Sequence, residues 1–343
     1  MSLSNTPAPA GTTTTASHRR NRWAARCQRL ALAGAVSALG VGAVATPAVA
    51  SYHGQTHYQF RTLNNKRDLT FNQLLGINKQ GIIAGYFGSG AQGHPNKGYL
   101  LFPPYHQNDY LNKNFPHSVQ TQVTGLNDRG VTVGFWSDMN NANQMNDNFG
   151  FVKINGHFRN VNFTPTEGPS SPPVNQLLGV NDHDIAVGFA TDANGNNHGY
   201  TYNVATKKFR EITITGSSNL TTAAINNHGD IAGFYANPAD QLTDGFVLAG
   251  NSVTTLAFPG ATMTQALGIN DSDEVVGVYQ LGSGSSATMH GFTWTPLHGF
   301  QTVDDPHGKG TTTINGINDQ GRLVGFYVDG KGNTDGMLAT PTH

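Results

Sequence analysis

LLGINKQGIIAGYF, residues 74–87, returns five more times along the chain. The other copies are VTGLNDRGVTVGFW (123–136), LLGVNDHDIAVGFA (177–190), TAAINNHGDIAGFY (222–235), ALGINDSDEVVGVY (266–279) and INGINDQGRLVGFY (314–327). Their anchoring asparagines, Asn78, Asn127, Asn181, Asn226, Asn270 and Asn318, recur every 44 to 54 residues. A period of that size is the mark of a propeller or another repeat array, not of an enzyme with one unique motif. Each copy reads as a β-hairpin: an apolar run enters the asparagine, a turn of the Asn-Asp-x-Gly kind follows, and a second apolar run leaves.

Seven residues beyond each anchoring asparagine stands a glycine: Gly85, Gly134, Gly188, Gly233, Gly277 and Gly325. Glycine weakens a strand, so its return at one position implies a backbone approach that a Cβ would block. Aromatics such as Tyr86, Phe135, Phe189, Phe234 and Phe326 follow it and are expected to pack between sheets. A third strand opens at Gly98-Tyr99, Gly150-Phe151, Gly199-Tyr200, Gly245-Phe246, Gly291-Phe292 and, less typically, Gly336-Met337. A fourth is read in HFRNVNF, KFREITI, SVTTLAF and GFQTVDD. Four short strands per repeat make one propeller blade. The expected fold is therefore all-β, a six-bladed β-propeller of four-stranded antiparallel blades. The last repeat has no residues left for a fourth strand, whereas HYQFRTLNN (57–65) precedes the first hairpin. That N-terminal segment is expected to supply the missing strand and close the ring, which also removes an open sheet edge.

Residues 1–50 have a different character. Five arginines without an acidic residue precede an Ala/Gly/Leu/Val run, and TPAVA stands before Ser51. This pattern is a secretory signal peptide, with an apolar core too short for a membrane span. Arg19-Arg20 leaves Sec and twin-arginine export both open. The expected organisation is a signal peptide over 1–50 and a six-repeat domain over 51–343, secreted and extracellular. The only cysteine, Cys27, leaves with the signal, so no disulfide or thiol chemistry is expected. The remaining domain carries 15 basic against 21 acidic residues, a net charge of −6 with no basic stripe. Nucleic acid is therefore excluded as a partner.

No phosphate loop, nucleophile elbow, His-Glu-x-x-His or EF-hand pattern occurs, and no cofactor or metal is expected. DANGNNHG (192–199) resembles an oxygen-rich calcium loop but lacks the acidic residue at its far end.

The phrase G-I-N-D-x-G-x-I-V-G-x-Y, followed by H-G-F and F-x-x-V-x-F-P-G, resembles the HAF-type repeat of bacterial extracellular proteins. Residues 257–279 come closest to it, and the likeness covers the whole chain after residue 50. The resemblance implies secretion and a propeller-like fold, and no defined activity. Asp184 and Asp273, where the turn glycine is expected, and Met337, where an aromatic is expected, depart from it.

In such a blade the loops joining the second and third strands share one face with the inter-blade connections. These are the long, divergent segments: 87–97, 137–148, 236–243, 280–289 and 163–173. Loops on a rigid scaffold carry recognition, so this face is expected to work. Five residues before each asparagine stand Gln73, Gln122, Gln176, Thr221, Gln265 and Thr313, expected to ring the channel mouth with amides and hydroxyls. They either bind a polar ligand or hold ordered water. Before the third-strand glycine stand His198, Asp244, His290 and Asp335, candidates for acid/base chemistry or else structural bonds between strands. Three functions remain open. The first is a secreted propeller, expected as a monomer, binding a small molecule, glycan or protein. The second is an enzyme (hydrolase, lyase or cyclase) with its pocket at the channel mouth, and the third is a structural cell-surface module.

Overall fold

The computed structural model describes residues 56–138 and 147–342. The expected signal peptide and the cleavage before Ser51 lie outside the described residues, as does most of the loop within 137–148.

The described chain is built from four-stranded antiparallel sheets. In the first repeat the strands are Asn72–Ile77, Ile83–Phe87, Lys97–Leu101 and Tyr110–Asn112, hydrogen-bonded in that order. Repeats two and three follow the same plan. Repeats four and five each have it too, and one parallel pairing of Thr243 with Met263 joins them into an eight-stranded sheet. In the sixth repeat Thr313–Ile317, Leu323–Val328 and Thr334–Thr342 supply three strands. The fourth is His57–Thr62, antiparallel to the last strand from His57 opposite Thr342 to Thr62 opposite Met337.

Hydrophobic side chains alternate outward from each sheet and meet those of its neighbour. Among the described residues the buried apolar side chains form clusters that bridge successive repeats. Val133 and Leu177 join repeats two and three, for example, and Val187 and Phe246 join three and four. The series continues from the sixth repeat back to the first, where Val324 and Leu338 pack with Leu74 and Tyr99.

The recurrent glycine answers to the close approach expected of it. A Cβ at Gly85, Gly134, Gly188, Gly233, Gly277 or Gly325 would overlap a backbone oxygen of the paired strand, that of Gln73, Gln122, Gln176, Thr221, Gln265 or Thr313. In most copies the aromatic ring of the third strand closes the other side, as Phe246 does at Gly233. Each innermost strand also carries a β-bulge at the same point, between Leu74 and Gly76 in the first copy and Ile314 and Gly316 in the last. A bulge sharpens twist and bends the strand. Gly76, Gly125 and Gly316 sit beside the bulges and let the innermost backbones pass close to one another.

Asp184 and Asp273, the two departures at the turn glycine, adopt φ of 57° and 59°. Asp tolerates this conformation better than bulkier residues. Each carboxylate is engaged by the preceding repeat, accepting from the Asn127 and Asn226 amides at 3.0 and 3.1 Å.

Candidate functional site: an axial depression ringed by asparagine and aspartate

The anchoring asparagines do more than turn the chain. In the third copy Asn181 Oδ1 accepts the N–H groups of His183 and Ile185, at 3.1 and 3.0 Å, and so ties its own turn. Its Nδ2 donates to the Asn226 carbonyl at 2.9 Å. The same donation runs from Asn78 to Asn127, Asn127 to Asn181, Asn226 to Asn270, Asn270 to Asn318, and from Asn318 back to Asn78. All six asparagines are buried.

The next residue repeats the device at the surface. Backbone N–H groups of Lys79, Asp128, Asp182, Asn227 and Asp271 donate to the Oδ1 of Asp128, Asp182, Asn227, Asp271 and Asp319, at 2.8–3.1 Å. The step from Asp319 to the first copy cannot repeat it, because the lysine there has no acceptor. Asn227 also bridges its neighbours, its Nδ2 donating to Asp182 Oδ2 and Asp271 Oδ2 at 3.0 and 2.9 Å.

These residues line a depression of about 410 Å³, counted out to open solvent. Its wall is six aliphatic side chains (Ile77, Leu126, Val180, Ile225, Ile269, Ile317), the six asparagines, and the set Lys79, Asp128, Asp182, Asn227, Asp271 and Asp319. Four carboxylates against one ammonium give that set a formal charge of −3 at pH 7. Desolvation, with the charges of Asp182 and Asp319, raises the Asp128 carboxyl above its ordinary range. The Lys79 N–H and its charge oppose the shift.

The depression lies at the Asn-Asp turns, not among the long loops. The Gln/Thr set expected at the channel mouth is buried, at 2–6% exposure. Gln73 accepts from the Tyr86 hydroxyl at 2.9 Å. Gln122 and Gln176 donate across to Asn96 and Asn148 of the preceding repeat, at 2.9 and 2.6 Å, and Thr221 takes the Asn197 amide at 3.4 Å. The amide oxygens of Gln122 and Gln176 are buried with no partner among the described residues. Gln265 is buried in the fifth copy, and Thr313 pairs with Phe326 in the sixth.

The four acid/base candidates stand in four different repeats, each engaged locally. His198 Nδ1 meets Glu211 at 2.7 Å and Nε2 meets Asp192 at 3.1 Å. His290 Nδ1 meets Asp304 at 2.7 Å and Nε2 meets Thr288 at 3.0 Å, and its ring stacks on Tyr279. Asp244 accepts the Asn237 amide at 2.8 Å and Asp335 the Asn64 amide at 2.6 Å. Desolvation raises both of those carboxyls. Among the described residues no hydrogen bond joins any two of the four.

The Asp/Asn ring was not singled out by sequence reasoning as a site, although its signal was present. Aspartate follows the asparagine in four copies, and Lys79 and Asn227 are the exceptions.

No family model and no curated protein matches the chain. Solved structures do. TolB from Acinetobacter baumannii aligns with 76% of this chain at 11% identity and a TM-score of 0.45, and the chain spans 63% of that protein's length. A mutant of AofleA from Arthrobotrys oligospora aligns with 84% of this chain and 90% of its own, at 9% identity and a TM-score of 0.49. The Aleuria aurantia lectin, described as a six-bladed β-propeller with a fucose recognition mode, aligns over 68% of this chain and 78% of its own. Its identity is 9% and its TM-score 0.40. No helix among the described residues is long and apolar enough to cross a membrane.

Proposed function

We propose that residues 51–343 form an exported, monomeric six-bladed propeller of the HAF-repeat type, closed by the strand His57–Thr62. Its function is to bind a small amine-bearing ligand in the axial depression. The closed ring is supported by the asparagine chain returning from Asn318 to Asn78 and by the apolar packing of the last repeat on the first. Export is supported by the charge and apolar pattern of residues 1–50.

The observation that carries the ligand class is the lining of the depression. Four aspartates and one asparagine against a single lysine present mostly acceptors, so the ligand must donate hydrogen bonds. The surplus of negative charge selects a cation among donors. Six aliphatic side chains beside the polar set suit a ligand with a short hydrocarbon body, such as a diamine or polyamine. The dispersal of His198, Asp244, His290 and Asp335 over four repeats supports a binder over an acid/base enzyme.

The test uses spermidine and a neutral methyl glycoside as probes, titrated calorimetrically at low and high salt. Asp182→Asn and Asp271→Asn keep the Oδ1 that caps a neighbouring N–H, as Asn227 does naturally, and remove the charge together with the Oδ2 acceptor that Asn227 uses. Each should weaken spermidine binding about fivefold, from loss of about 1 kcal/mol of partly screened attraction. Salt-insensitive glycoside binding, or spermidine binding that both variants leave unchanged, would overturn the amine reading.

A further inference from the structure

Asp192-Ala-Asn-Gly-Asn-Asn, the loop with the calcium-like pattern, does meet an acidic residue, and that residue comes from another segment. Glu167 lies in the connection that leads into the third repeat. Backbone bonds lay that connection along the loop: Ala193 N–H donates to the Gly168 carbonyl at 3.0 Å and Ser170 N–H to the Thr191 carbonyl at 2.9 Å. The Glu167 carboxylate thereby comes beside His198, with Oε2 at 3.7 Å from Nε2, while Asp192 Oδ2 stands 3.1 Å from the same nitrogen.

We propose that Glu167, Asp192 and His198 form a binding site for a divalent transition metal of the Zn²⁺ class. The three ligand atoms lie within 4.8 Å of one another. Two ligands about 2.0 Å from a tetrahedral zinc are about 3.3 Å apart, and the two distances to Nε2 fall on either side of that value. One nitrogen and two carboxylate oxygens suit zinc better than calcium, which takes six to eight oxygens.

The surroundings of the three groups are those a metal site needs. His198 presents Nε2 to the carboxylates because its other nitrogen, Nδ1, is held by Glu211 at 2.7 Å. A carboxylate on the far nitrogen is the usual outer partner of a metal-bound histidine, fixing its tautomer and raising its basicity. Asp192 is positioned in the same way: its Oδ1 is taken by the N–H groups of Asn194 and Asn196, both at 2.8 Å, and Oδ2, which also accepts the Asn196 amide at 3.3 Å, is directed toward His198. Asp192 is nearly fully buried, whereas the His198 and Glu167 side chains are 20% and 45% exposed. Solvent therefore reaches the site and can supply the fourth ligand.

The sixth repeat provides an internal comparison. Asp329 caps a loop bonded in the same pattern, accepting from Lys331 and Asn333 N–H at 2.8 Å and from the Asn333 side chain at 3.0 Å. Six residues on, that repeat has Asp335 where the third has His198. The loop is thus a turn device common to both repeats, and His198, Glu167 and Glu211 are additions that making the turn does not require.

Without metal, the same groups simply hold the His198 ring between Asp192 and Glu211, and the experiment separates the two readings. Chelator-treated full-length protein is titrated with Zn²⁺, and with Ca²⁺ in parallel, by calorimetry and thermal shift. One equivalent of Zn²⁺ should bind and raise the melting temperature. That equivalent should be lost in His198→Ala and weakened in Glu167→Gln, whose exposed side chain can be changed without disturbing the fold. Glu211→Gln should weaken binding about 10–100-fold, as loss of an outer-shell partner does. Zn²⁺ stoichiometry and melting shift unchanged in both His198→Ala and Glu167→Gln, or Ca²⁺ binding in place of Zn²⁺, would overturn the assignment.

Discussion

Asn181 shows how one side chain can serve two scales of structure. Its oxygen closes its own turn on two N–H groups while its nitrogen reaches the next repeat, so a single amide sets both local geometry and register between sheets. Aspartate could supply the oxygen but not the donor, and this is why asparagine recurs in all six copies. The glycine seven residues later is equally constrained, by space and not by φ. Gly188→Ala should cost about 3 kcal/mol or more, because the new Cβ meets the backbone oxygen of Gln176 on the paired strand, which cannot swing away. Gly195→Ala is the control: φ is 88° with nothing near its Cβ, and the cost should be about 1 kcal/mol. Urea denaturation of the two variants checks this, and equal losses would remove the steric explanation.

At the scale of elements, the strand His57–Thr62 has the most consequence for its length. It pairs along the last strand, and Tyr58 and Phe60 pack against the cluster containing Val276, Ile317, Leu323 and Ala339. Contacts on both flanks extend its reach. The Gln301 side chain of the fifth repeat donates to the Thr56 carbonyl at 2.7 Å. Arg61 donates to the Pro104 and Tyr105 carbonyls of the first. Three repeats therefore depend on one short segment. Deleting residues 51–64 should lower the melting temperature sharply and yield oligomers, because the strand Thr334–Thr342 becomes an open edge. Scanning fluorimetry and light scattering test this. A monodisperse deletion variant with an unchanged melting point would contradict closure by the N-terminal strand.

At the scale of the whole molecule, the depression exists only because six turns converge, and its chemistry should follow pH accordingly. Asp128 has its carboxyl raised by desolvation and by Asp182 and Asp319. A cation favours the ionised carboxylate, so amine affinity should fall as pH drops through the range just above the ordinary carboxylate value of about 4. A carboxyl raised in the folded state contributes stability at low pH and loses it as pH rises, so this group does not unfold the protein over the same window. Asp128→Asn should flatten the affinity profile while keeping the cap on Lys79 N–H. Spermidine titrations between pH 4 and pH 7 read the difference, and parallel profiles for the two proteins would count against Asp128 as a ligand contact.

The repeat phrase by itself determined the strands and their grouping in fours. These follow from local rules: periodicity and turn chemistry. It also pointed to the close approach at Gly85 and its counterparts, since glycine inside a strand has few other reasons to recur. It did not reveal which side chains meet. The Gln/Thr set looks like a polar rim when counted along a strand, but all six are buried, and Gln122, Gln176 and Thr221 bond to side chains of the preceding repeat. Lys79, Asp128, Asp182, Asn227, Asp271 and Asp319 read as ordinary turn residues until the turns are brought side by side. DANGNNHG lacked its far acid only along the chain, because Glu167, on the preceding connection, reaches His198 through backbone pairing that no local pattern encodes. Strand identity is decided over a few residues, whereas a site is decided by contacts between segments far apart in sequence, which only the packed tertiary structure brings together.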